Sequence, residues 1–204
     1  MPAAKVEKKL DPTEIFKPWL DITQAKAFLS SEFLLWLWHL AESPANPLQL
    51  HLPLLGQTVL AKIWVEDRLV LESQDSRAHI HTLKGGEPSR SLEAESALQT
   101  GKQVKELRLG LHLDPYGDFL VLLASKDLSP KAIVLPTGVE ASEGRKNRVD
   151  LALRLKMTDL LVDSLDSLFG LFLEQRTEPL IWDKTRKALD LWITNRGHAE
   201  THLH

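Results

Sequence analysis

The chain has 204 residues, 43% of them apolar, which is enough for one large domain or two small ones with an ordinary core. It contains no cysteine, so disulfides, zinc-thiolate sites, iron-sulfur clusters and a cysteine nucleophile are excluded. The net charge is −3, and the deficit lies in the first hundred residues; a chain without a basic balance can meet nucleic acid only through a local patch.

Residues 1 to 18 carry Lys5, Lys8, Lys9, Pro12 and Pro18 with little periodicity and read as a mobile arm, taken to extend to residue 20. The three lysines are followed by no apolar run of the kind a signal peptide needs, so a cytoplasmic protein is expected. From Ile22 to Glu42 the pattern turns helical, with Ser30 or Ser31 as an internal N-cap. Phe33 to Leu40 is apolar on all sides, which demands burial in the chain's own core or against another chain. Trp36 and Trp38 fall about 200 degrees apart on that helix, so one of them is a candidate for facing a partner. The run is too short to span a bilayer.

Ser43 to Pro53, with three prolines, reads as a connection. Val59, Ala61, Ile63 and Val65 then alternate with Leu60, Lys62 and Trp64 as in a strand, and Glu66-Asp67-Arg68 is a short turn into Leu69 to Leu71, giving a hairpin. Ile80 to Leu83 adds a strand that Gly85-Gly86 breaks. Ser91 to Thr100 holds helix formers, and Gly101 stands where a left-handed residue would end the helix. Leu107, Leu109, Leu111 and Leu113 share one face of the clearest strand, with Glu106, Arg108, Gly110 and His112 on the open face. A turn at Asp114 to Asp118 leads into Phe119 to Ala124, apolar on both faces, and Ala132 to Leu135 is a further short strand. After a polar loop from Pro136 to Arg148, a long helix begins near Asp150 and ends at Thr177-Glu178-Pro179. Lys184 to Ile193 forms a last short helix before a histidine-rich tail at residues 196–204. The expected architecture is a single α+β domain over residues 21–195, a mainly antiparallel sheet packed against two principal helices.

Candidate chemistry is sparse. His79 and His81 would share one side of a strand, and His198 and His202 have helical ligand spacing, but neither pair gains the third ligand a zinc site needs. There is no glycine-rich phosphate loop and no nucleophile-base motif, so no cofactor, no small-molecule substrate, no membrane partner and no catalysis are expected. The densest basic cluster is Arg145, Lys146 and Arg148, extended by Arg154 and Lys156 into the first turns of the long helix, where the amino-terminal dipole favours a phosphate. Lys102, Lys105 and Arg108 form a sparser set after the Gly101 turn.

Four segments in this order resemble the carboxy-terminal half of the recombination-associated RdgC family: Glu32 to Trp38, the hairpin ending Asp67-Arg68-Leu69, Glu93 to Lys102 with its leucine-alternating strand, and Leu165 to Phe169. The match runs from about Ser30 to Arg176. The Gly101-Lys102 turn and Lys105 fit the family pattern, whereas Gly85-Gly86 falls where basic residues are expected, and familiar members carry a longer amino-terminal portion. The resemblance implies a non-enzymatic, nucleoid-associated homodimer that binds DNA, double-stranded by expectation, without strong sequence preference and restrains recombination. The expected nucleic-acid contacts are Lys102, Lys105, Arg108, Arg145, Lys146, Arg148 and Arg154. The alternative is a dimeric structural or protein-partner-binding module with no nucleic-acid role. Convergence of these cations on one surface favours DNA; their scatter favours a protein partner.

Overall fold

The computed structural model describes residues 29–73, 80–136 and 151–196. Within them the chain folds as α+β: helix α1 (29–42), strands β1 (Leu48–Leu52), β2 (Gln57–Glu72) and β3 (Ile80–Lys84), helix α2 (Leu92–Gln99), strands β4 (Gln103–Leu113), β5 (Gly117–Ala124) and β6 (Lys131–Val134), and helices α3 (Leu151–Thr177) and α4 (Pro179–Asn195). A short 3-10 turn, Pro88–Arg90, precedes α2. The strands form one antiparallel sheet in the order β1-β2-β4-β5-β6, with β3 added to the far end of β2.

Alternation decides what the sheet buries. Ala61 and Ile63 of β2, Leu107, Leu109, Leu111 and Leu113 of β4, and Phe119, Val121 and Leu123 of β5 point into one core. The same core takes Phe33, Leu34 and Leu37 of α1 and Leu160, Leu161, Leu168 and Phe172 of α3. The opposite face of β5 is half-buried rather than core, so Phe119 to Ala124 is not the two-sided buried run its composition suggests.

Three further expectations are corrected. Glu66-Asp67-Arg68 is not a hairpin turn: β2 runs unbroken for 16 residues, and these three stand opposite Arg108 alone, between the pairs Val65–Leu109 and Leu69–Leu107. They form a bulge, whose extra residues mimic turn chemistry in sequence. Ser43 to Pro53 contains a strand, since Leu48, Leu50 and Leu52 alternate with Gln49 and His51 and pair with β2. The last helix starts five residues before Lys184, with Pro179 in its first turn, where the missing N–H costs nothing.

The all-round apolar helix α1 is covered within the chain. Trp36 packs on Phe172 and donates its indole N–H to Gln175 Oε1 at 3.1 Å, while Trp38 meets Trp192 of α4 edge to face. Both are buried, so neither tryptophan faces a partner. The α4 helix closes this side, with Trp182 against Phe172 and Arg196 stacked over Trp38 and Trp192. The sheet and helices thus leave two ends of interest: the bulge end of β2, and the end where α3 begins.

Candidate nucleic-acid interface

Each expected contact among the described residues is set by its element. Ser91 caps α2 by accepting the Ala94 N–H, and Gly101, at φ +79°, ends the helix with its N–H on Leu98 and that of Lys102 on Ala97. This left-handed termination turns the chain straight into β4 and leaves Lys102 beside the strand's first residue. Lys105 is the extra residue of a second irregularity, between the pairs Val70–Glu106 and Leu71–Val104. Arg108 lies on the outer face of β4 opposite the large bulge.

Three outer-face cations, Arg68, Lys105 and Arg108, are already matched by carboxylates. Lys105 Nζ lies 2.6 Å from Glu72, Arg68 binds Glu106 through two nitrogens at 2.6 and 3.0 Å, and Arg108 reaches both oxygens of Asp67 at 3.2 and 3.3 Å. A phosphate arriving here would have to displace a carboxylate from each of them. Lys102 has no partner among the described residues.

Arg154 and Lys156 are exposed on the first turns of α3, again with no ion pair among the described residues. They belong to the opposite end of the sheet. Asp163 accepts the Leu54 N–H at the β1–β2 turn, and Gln57 beside that turn bonds Tyr116 in the β4–β5 turn. From Asp163 back to Leu151 the helix runs on for about 18 Å at 1.5 Å per residue. Lys102, by contrast, sits eleven residues of β4 away from Leu113, about 36 Å at strand rise. The structure therefore does not bring Lys102, Lys105 and Arg108 together with Arg154. Arg145, Lys146 and Arg148, like His79, the amino-terminal arm and the histidine-rich tail, lie outside the described residues.

Two features escaped the reading of single motifs. Lys184, Arg186 and Lys187 of α4 are exposed and unpaired among the described residues, hidden in the sequence by an interleaved apolar pattern. The α3 helix also carries a second apolar line, with Leu151, Leu155 and Val162 70%, 56% and 38% exposed. The signal was present, since these positions recur at spacings of four and seven beside the buried line. Among the described residues, no group of three His, Asp or Glu side chains could hold a metal ion, and no helix is long and apolar enough to cross a membrane. No family model, curated protein or solved structure matches this chain.

Proposed function

We propose that this chain is a non-catalytic binding module that works as a pair of identical copies joined along the outward line of α3. The exposure of Leu151, Leu155 and Val162 on one side of an overhanging helix carries the reading. Apolar side chains contiguous on a surface mark contact with another molecule. Their spacing, with Thr158 between, is that of a two-heptad seam. A second copy suits it by charge. Arg154 precedes Leu155 and Asp159 follows Thr158, so a parallel pair sets Arg154 of each copy against the partner's Asp159. Three apolar side chains per copy supply far less than the roughly 800 Å² per partner of a stable interface, so the association is weak.

Sedimentation equilibrium from roughly ten to several hundred micromolar, the range for a weak interface, tests the pairing. The expected result is a rise from 23.0 kDa toward twice that mass, abolished by Leu151→Glu with Leu155→Glu while the melting temperature holds. A constant 23.0 kDa would overturn it.

A second reading, RdgC-like sequence-tolerant DNA binding that modulates recombination, has support of its own. Arg154 and Lys156 are unpaired among the described residues and follow Arg145, Lys146 and Arg148 in the chain, at a helix start whose dipole favours anions. A parallel pair would also issue both copies of that basic segment from one end. The readings differ over Arg154, which meets a carboxylate in one and a phosphate in the other. Arg154→Glu weakens self-association if the first holds, and weakens duplex binding without changing the mass if only the second does.

A further inference from the structure

At the bulge end of β2 a groove of about 270 Å³ opens between the end of α1, the bulge and the β3–α2 connection. Its walls carry four carboxylates, Glu42, Glu66, Asp67 and Glu87. Three are neutralised: Glu42 by Arg196 at 2.7 and 3.1 Å, Asp67 by Arg108, and Glu87 by Arg90 at 3.2 Å. Glu42 is in addition filled by the indole N–H groups of Trp38 and Trp192. Glu66 is different. Its carboxylate accepts only the indole N–H of Trp64, and no cation pairs with it among the described residues.

Two more groups in the same groove point to an occupant. Ser89 is only 7% exposed, and its hydroxyl makes no hydrogen bond among the described residues. The hydroxyl keeps its access to the groove, so its lone pairs are open to a ligand donor. Trp64, held against β4 where Gly110 has no side chain, lines the groove and offers an electron-rich ring to a cation. The volume falls just below the range of small-molecule sites, which suits one side chain or a short amine.

We propose that this groove binds a single alkylammonium or guanidinium group, which pairs with the Glu66 carboxylate, donates to the Ser89 hydroxyl and lies beside the Trp64 ring. Such a group comes either as the side chain of a lysine or arginine in a partner peptide or as a free polyamine. This site is separate from the α3 seam and does not depend on the pairing of copies.

Binding is read by titration calorimetry, and by tryptophan fluorescence, on the full chain with three probes: Nα-acetyl-lysine methylamide, Nα-acetyl-arginine methylamide and spermidine. Saturable binding of at least one is expected, with Nα-acetyl-norleucine methylamide inert. Tighter binding of the amino-acid probes assigns the site to a peptide side chain, and tighter binding of spermidine to a free amine. Glu66→Gln keeps an acceptor for Trp64 but removes the charge, and should weaken binding about tenfold or more, the size of a lost charge-assisted hydrogen bond. Ser89→Ala should weaken it several-fold, and Glu93→Gln on α2 should leave it unchanged. Far-ultraviolet circular dichroism confirms that each variant is folded. No saturable binding of any cationic probe, or equal affinity in the parent and a folded Glu66→Gln, would overturn the site.

Discussion

At Gly110 the absence of a side chain lets the Trp64 ring lie against the β4 backbone, where a Cβ would overlap the indole. Gly110→Ala must push the ring aside, and overpacking of this kind costs about 1–3 kcal/mol. A lower urea midpoint with an unchanged slope is the expected result. The role was invisible in the sequence, which placed Gly110 on the open side of its strand but could not say that a tryptophan from β2 covers it. His39 makes a second prediction. Burial pushes its imidazole below the ordinary value of 6.5, against an opposing pull from Glu42. The folded protein therefore holds it neutral, and the unfolded chain takes up the proton first as pH falls. Its contribution is complete above the unfolded value and is lost as pH drops through 6.5 toward the lower folded value. Urea midpoints followed downward through that window should decline in the parent and decline less in His39→Phe, which keeps a ring near Trp192. Parallel profiles for the two would exclude His39 as the cause.

Among the elements, α2 was the most legible because both of its ends are written in single residues. Ser91 supplies the cap, and Gly101 supplies the positive φ that ends the helix. Gly101→Ala should cost about 1 kcal/mol, since a side chain is strained in that conformation. Thermal or urea unfolding measures it, and an unaltered stability would mean that the turn relaxes freely. Strand β4 and helix α3 were legible for a similar reason, as their apolar periods repeat over many residues. Where the reading failed, a local signal outweighed a longer one. Pro44, Pro47 and Pro53 around Leu48 to Leu52 masked a strand, and the polar triplet Glu66-Asp67-Arg68 hid a bulge inside β2. Neither can be resolved without knowing that β1 and β4 pair with opposite edges of β2. The second apolar line of α3 was overlooked because one buried line already accounted for the helix.

For the molecule as a whole, the distribution of charge matters more than its sum. Arg68, Lys105 and Arg108 on the outer face of the sheet are balanced locally by Glu106, Glu72 and Asp67, a pairing between strands that no spacing in the sequence reveals. What could be read was the cluster itself; whether its charges are free depends on the neighbouring strand. This separates two sets of variants in a duplex-binding titration across salt concentrations. Lys105→Ala with Arg108→Ala should leave affinity and salt dependence unchanged. Arg145, Lys146 and Arg148 replaced by alanine should flatten the slope of log affinity against log salt by about 0.9 for each phosphate contact removed. Undetectable duplex binding by the parent at low salt would discard the DNA reading and leave the paired module standing alone.

Along the edge that β2 presents to β1 and β3, β1 matches Gln57 to Ala61 and β3 matches Arg68 to Glu72. Between them, among the described residues, the strand is met by the Gly85 N–H on the Asp67 carbonyl and by the side chain of Asn46. Asn46 accepts the Ile63 N–H at 3.0 Å and donates to the Ile63 carbonyl at 2.7 Å, so its amide stands in for a residue of a missing strand. It also ties the end of α1 to the same spot through the Ala41 carbonyl at 2.9 Å. In terms of isotope exchange, the solvent protection of an amide in the middle of the longest strand hangs on a side chain 17 residues away rather than on sheet pairing. Local opening there requires only a rotation of Asn46, not separation of strands. Asn46→Ala should release the Ile63 amide to deuterium faster by orders of magnitude, while the amides shared by β2 and β4 keep their rates, which makes the gap beside the groove a place where water reaches the middle of β2 without any strand coming away.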